Sequence, residues 1–147
     1  MKNPDLLWLD VCKRFSEQSQ CKSRHVGCIL IKNGHLIGQG WNGAAEGSSC
    51  ASCTRKKCLG LTTVSGEDME SAICCHSEMN CIGYCARFGI ATEGAVLYCT
   101  VFPCSECAKL LIACGIKEIV YNEEYPHMAM ANKYFENGKV KVRKFNI

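Results

Sequence analysis

An Asn-Gly step at 33–34 stands between two β-rich runs, "GCILIK" and "HLIGQGW". Asn and Gly both tolerate positive φ, which the tightest two-residue hairpin turns demand at both central positions. The step therefore pins a pair of antiparallel strands at about 26–32 and 35–41. Ahead of it, apolar Leu6, Leu9 and Phe15 recur at helical spacing over 5–19. After residue 75 the pattern alternates. A helix over about 76–88 is followed by strand "GAVLYCT", helix "CSECAKLLIACG", strand "IKEIVY", a helix near 127–137 and a last strand "KVKVRKF". Strands separated by helices pair in parallel through crossovers, so this half predicts an α/β layer with the antiparallel hairpin beside it.

Between the halves, residues 42–73 are rich in Gly, Ser, Cys and charge, beginning near "GAAEGSSCASC". A structureless segment of that length in a compact chain is usually functional or stapled by metal. At 147 residues the whole reads as one domain, 1–147, with 42–73 as its Cys-rich loop or insertion.

Charge narrows the partners. The net charge is +3 and the basic residues are scattered, apart from "RKK" at 55–57. A nucleic-acid binder shows a concentrated basic stripe, so a phosphorylated small molecule suits this balance better than a polymer. Asp5 and Asp10 interrupt what would have to be an apolar leader, and no run reaches membrane-spanning length. The expected location is the cytoplasm, where the fourteen cysteines stay reduced. Cys28, Cys99 and Cys114 sit among apolar neighbours and read as small core residues.

The chemistry lies in two short motifs. Cys104 and Cys107 stand at C-x-x-C spacing where a strand gives way to a helix, in Pro103-Cys104-Ser105-Glu106-Cys107. A helix N-terminus favours thiolates, which suits metal or redox chemistry. His76-Ser77-Glu78 opens another predicted helix. Helix starts at the carboxyl ends of strands are where open α/β folds gather their sites. His76, Cys104 and Cys107 supply three ligands, the number that leaves zinc a catalytic position open. Glu78, two residues from the histidine, is placed to carry a proton between water and substrate. H-x-E followed by P-C-x-x-C is the signature of zinc-dependent nucleobase deaminases.

The motifs and their surroundings resemble the deoxycytidylate (dCMP) deaminases, particularly short phage and viral members. The resemblance runs from "CKSRHVGCILIKNGHLIGQGWNG" through "HSEMNCI" to "GAVLYCTVFPCSECAKLLIACGIKEIVYNEEY". It implies a cytidine-deaminase-like α/β/α fold, three layers with a five-stranded mixed sheet. It also implies hydrolysis of dCMP to dUMP, with His76, Cys104 and Cys107 holding Zn2+ and Glu78 shuttling protons. Asn42 and Tyr125 correspond to residues near the sugar and base, and Ser77 stands where Ala is usual, its backbone amide facing substrate. The resemblance further implies feedback, with activation by dCTP, taken with Mg2+, and inhibition by dTTP. It implies a homo-oligomer too, a hexamer being favoured. Lys22, Arg24, Trp41 and Gly43 are candidate phosphate or effector contacts; His25 joins the basic pair, and Pro126 stands where relatives carry an Arg. A second, structural zinc found in some members would draw four ligands from Cys21, Cys50, Cys53, Cys58 and Cys74.

Rival readings fit less of the sequence. A zinc ribbon needs C-x-x-C pairs about 15–20 residues apart, far closer than Cys53 and Cys104 stand. A thioredoxin-like redox protein explains "PCSEC" but leaves His76 and Glu78 idle. Within the deaminases, a bifunctional dCMP/dCTP enzyme and nucleoside or RNA deaminases stay open, although no aromatic-basic strip supports polynucleotide binding.

Overall fold

The computed structural model describes residues 3–147. Helix α1 (Pro4–Ser16) starts where the Asn3 side chain accepts hydrogen bonds from the amides of Asp5 and Leu6, with Pro4 pre-set in the first turn. It ends three residues short of the expected 19, because residues 17–19 tighten into i→i−3 bonds to Arg14, Phe15 and Ser16. Strands β1 (Gly27–Lys32) and β2 (His35–Trp41) form the expected hairpin. Asn33 and Gly34 take φ of 51° and 78°, the doubly left-handed turn that the sequence called for.

Two further short strands, β3 (Gly43–Ala44) and β4 (Cys74–Cys75), pair with each other and so bring the two ends of the long loop together. Nothing in the local pattern announces a two-residue ribbon. The alternating half then comprises α2 (Ser77–Arg87), β5 (Val96–Val101), α3 (Ser105–Ala113), β6 (Glu118–Glu123), α4 (Ala129–Asn137) and β7 (Lys141–Lys144). The main sheet has five strands in the order β2-β1-β5-β6-β7. β1 runs antiparallel to β2 and β5, while β6 runs parallel to β5 and β7.

Strand alternation sorts the core into two faces. Ile29 and Ile31 meet Leu9 and Cys12 of α1, with Tyr98 and Val120. Cys28 and Leu30 point the other way, toward Cys81 and Cys85 of α2, Leu111 of α3 and Phe135 of α4. Helices on both faces give the three-layer α/β/α arrangement. Cys28 and Cys99 are fully buried core residues, as expected. Cys114 is only half-buried, a correction: it closes α3 just before the chain turns at left-handed Gly115, where one side stays open.

One close approach sets how α2 lies on the sheet. A Cβ at Gly40 of β2 would lie 2.4 Å from the Ser77 carbonyl oxygen and 2.6 Å from the Cys81 backbone nitrogen. Only glycine lets the first turns of α2 lie this near the sheet. No helix among the described residues is long and apolar enough to cross a membrane.

Candidate active site

Two helix starts converge at the end of the sheet. His76 immediately precedes α2, and Cys104 immediately precedes α3, just past the carboxyl end of β5; neither uses its side chain as a cap. Both side chains are thus free to turn toward one point. His76 Nδ1 lies 3.3 Å from Cys104 Sγ and 3.4 Å from Cys107 Sγ. The three ligand atoms all fall within 4.8 Å of one another. Cys107 joins because the C-x-x-C spacing brings it one turn up the same helix, beside Cys104.

The two thiols share a proton. Cys104 is drawn down to about 4, first by the hydrogen bond from Cys107 and then by His76, while the same bond pushes Cys107 far up. His76 is raised, mainly by its hydrogen bond to Cys104. Left alone, the sulfurs hold one negative charge between them; a divalent cation among an imidazole and two thiolates would neutralise both. That donor set, soft sulfur with imidazole, fits zinc. Magnesium prefers an all-oxygen shell and does not suit these donors; the Mg2+ expected with the dCTP effector is a separate matter and gains no support.

Glu78 completes the floor. Its carboxyl is only 3% exposed, and burial pushes its pKa up, partly offset by the Ser77 hydroxyl, which donates to Oε1 at 2.6 Å. Ser77, expected to act through its backbone, thus also grips the carboxylate directly. Beside it opens a cleft of about 760 Å³, solvent side included. His76, Ser77, Glu78 and Cys104 lie at its base, with Asn42, Phe102 and Tyr125 on the walls.

Residues 2–123 match the family model described as the cytidine and deoxycytidylate deaminase zinc-binding region. The chain belongs to this deaminase family. It is 33% identical over 129 residues to the deoxycytidylate deaminase of Mycobacterium phage D29, covering 84% of this chain and 99% of that one. It is also 33% identical over 130 residues to ComE operon protein 2 of Bacillus subtilis, covering 88% and 65%. The crystal structure of dCMP deaminase from the cyanophage S-TIM5 in complex with dCMP and dUMP superposes with a TM-score of 0.75, at 26% identity and 95% of both chains. Cellular relatives run longer: the chain spans 44% of the Schizosaccharomyces pombe deoxycytidylate deaminase.

The other expected contacts of this family member fall unevenly. Asn42 reaches the cleft, but its amide is committed to backbone, accepting from Val26 N at 2.8 Å and donating to the Arg24 carbonyl. It holds the wall in shape. Arg24 lines the cleft and pairs with Glu123 at 3.0 Å, whereas exposed Lys22 lies outside it. His25 turns back to the Cys21 carbonyl at 2.9 Å. Trp41 stacks on Phe15 with ring centres 6.0 Å apart and faces a second groove, and Gly43 sits in β3, its carbonyl accepting from Asn80 at 3.2 Å.

The loop contributes what local sequence did not assign. Arg55, Lys57, Ser65 and Gly66 fold over the cleft. The signal existed: "RKK" at 55–57 is the one place where basic residues cluster, but nothing local says that it faces the motifs. Of the remaining thiols, Cys21, Cys58 and Cys74 perturb one another's titration, as do Cys58 and Cys53, but among the described residues the ligand atoms that gather within 4.8 Å are those of His76, Cys104 and Cys107. Cys21 is drawn down to about 5, chiefly by Cys74, which is itself pushed up. Cys50 is close enough to Cys74 for their charges to interact.

Proposed function

We propose that the chain folds as one deaminase domain and hydrolyses dCMP to dUMP and ammonia. The observation that carries this reading is the triangle of His76, Cys104 and Cys107 beside the buried Glu78 carboxyl, at the base of an open cleft. The phage relatives supply the substrate: one is named for deoxycytidylate and the other was crystallised with dCMP and dUMP.

His76 Nδ1, Cys104 Sγ and Cys107 Sγ are the atoms that would hold Zn2+, and zinc there supplies Lewis-acid activation of water at neutral pH. The protein's own work is proton traffic and positioning. As water oxygen attacks C4 of cytosine, Glu78 takes a proton from it and passes it to N3. A second proton, from the new hydroxyl, goes by the same carboxylate to the amino group, which leaves as ammonia while the C4 carbonyl forms. Ser77 holds the carboxylate in place for both transfers. Phe102, itself buried, gives the cleft an apolar lining residue against which the base can pack. Asn42 would stand next to the sugar, and Tyr125 lines the same cleft.

A second, structural zinc belongs to the same reading. The family resemblance points to Cys21, Cys50 and Cys74, with Cys53 or Cys58 as the fourth ligand; Cys21, Cys58 and Cys74 lie near enough to perturb one another's titration. Such a site would order a long loop that carries little secondary structure of its own. Feedback by dCTP and dTTP, assembly as a homo-oligomer with a hexamer favoured, and a cytoplasmic location beside the nucleotide pool complete the proposal. These rest on the family resemblance.

The test is conversion of dCMP by purified zinc-loaded protein, followed by nucleotide chromatography with and without dCTP. Appearance of dUMP is the expected result. Turnover of deoxycytidine or an RNA oligonucleotide, with dCMP untouched, would overturn the substrate.

A further inference from the structure

Among the described residues Arg55 is the one Lys or Arg that is buried, 8% exposed, and it lines the cleft above Glu78. Its bonds are weak for a guanidinium. Nε donates to the Glu67 carbonyl at 3.3 Å, and Nη2 lies 3.1 Å from the Met69 sulfur, a poor acceptor. Among the described residues no carboxylate lies within 4.0 Å of it. Asp68, the acid near enough to feel its charge, instead accepts from the Lys56 amide at 3.0 Å and the Ser71 hydroxyl at 2.7 Å. A guanidinium taken out of water without an anion is costly, and chains keep one where an anion arrives.

The surroundings say which anion. Lys57 lines the same wall, likewise with no carboxylate within 4.0 Å among the described residues, and Ser65 and Gly66 bring a hydroxyl and backbone to it. Arg24, across the cleft, already has Glu123. A planar fork plus a point charge suits a group with several equivalent oxygens and more than one negative charge, which is a phosphate monoester. Cytosine and deoxyribose carry no such group. With the base at His76 and Glu78, Arg55 and Lys57 are, among the described residues, the cations on the cleft lining that no carboxylate already holds, and so the ones available to its phosphate.

We propose that Arg55 and Lys57 clamp the 5′-phosphate and so select the nucleotide over the bare nucleoside. This inference rests on the reading of the site as a deoxycytidylate deaminase and adds the residues that set its phosphate specificity. It also moves the anchor from residues 22–25, ahead of β1, to the Cys-rich loop.

The experiment measures kcat/KM for dCMP and for deoxycytidine side by side in zinc-loaded wild type, Arg55→Gln, Arg55→Lys and Lys57→Ala. Zinc content and circular dichroism check that each variant is folded. The expected result is a dCMP-to-deoxycytidine ratio that falls on the order of 10- to 100-fold in Arg55→Gln, mainly through KM. Lys57→Ala, a change at a half-exposed position, should lower the same ratio by less, and Arg55→Lys should recover part of it. The clamp is overturned if the ratio stays at the wild-type value in both Arg55→Gln and Lys57→Ala, or if both substrates lose activity equally. Should the wild type turn over neither substrate, the deaminase reading fails by itself. The clamp is then tested by calorimetric binding of dCMP against deoxycytidine: it stands if Arg55→Gln abolishes a preference for dCMP, and falls if there is no preference to abolish.

Discussion

Replacing Gly40 by Ala adds a single methyl, yet that methyl is set against three backbone atoms of α2. Its Cβ would lie 2.4 Å from the Ser77 carbonyl oxygen, 2.6 Å from the Cys81 nitrogen and 3.0 Å from the Cys81 Cα. Non-bonded carbon contacts settle near 3.5 Å, so α2 must retreat from the sheet by about 1 Å at its first turn. The retreat has two effects. Overpacking of this kind costs about 1–3 kcal/mol, readable as a lower urea midpoint with unchanged slope. It also carries His76 and Glu78 away from Cys104 and Cys107, which ride on a different helix, and misplacement by about 1 Å can cost on the order of 10²-fold in rate. Gly83→Ala is the matched control. Gly83 is exposed in the same helix with nothing within 4 Å of its would-be Cβ, so the change should stabilise by about 0.5–1 kcal/mol through helix propensity. Urea melts, zinc content and dCMP turnover are measured on both. If Gly40→Ala matches the wild type in stability and rate, the close packing of α2 on β2 does not position the site.

Three further outcomes are expected. Glu78→Gln keeps its zinc but loses at least about 10²-fold in kcat, the low end of general acid–base contributions, and near-full activity would remove Glu78 as proton carrier. Cys74→Ser releases one metal equivalent and makes the 42–73 loop more sensitive to limited proteolysis; unchanged metal stoichiometry would refute the second zinc. Asp5 accepts from Arg143 at 2.9 Å and from the Tyr98 hydroxyl at 2.8 Å, and the Arg143 bond in particular holds its pKa below the usual carboxylate value. A depressed carboxylate stabilises the fold above its unfolded pKa of about 4 and ceases to as pH falls through the lower folded value. Asp5→Asn should therefore cost about 1 kcal/mol at pH 7, with the gap to wild type closing below about pH 4 in urea melts. A gap that persists unchanged at pH 3 would contradict this sign.

What could be read from the residues alone was whatever a few consecutive positions decide. Asn33-Gly34 forces a turn by its own φ preference, and the C-x-x-C of Cys104 and Cys107 forces two sulfurs onto one helix start. Such signals, read in order, gave a parallel half beside an antiparallel hairpin; the five-stranded mixed sheet came from the family resemblance, and it is the sheet observed. Distant pairings were not legible. The ribbon of β3 and β4 depends on two dipeptides thirty residues apart in a stretch with no strand pattern. Gly40 looks like an ordinary strand glycine until Ser77 and Cys81 are laid across it. Arg55 was visible as a basic residue, but its burial and its lack of a carboxylate are properties of the folded loop. Asn42 was expected near the sugar from the family resemblance; it lines the cleft, and the claims of Val26 and Arg24 on its amide could be seen only in three dimensions.

The ribbon has an evolutionary meaning. With Gly43 paired to Cys75 and Ala44 to Cys74, the long loop leaves and re-enters the fold at a single clasp, directly before His76. Its interior can therefore lengthen, shorten or change charge without transmitting strain to His76, since loop closure cost grows only slowly with length. Reaction and recognition are in this sense separately inheritable. On the proposed reading, the helix starts at His76 and Cys104 would define what is done to a ring, and the clasped segment, which carries Arg55 and Lys57, would decide which molecules bring their ring there.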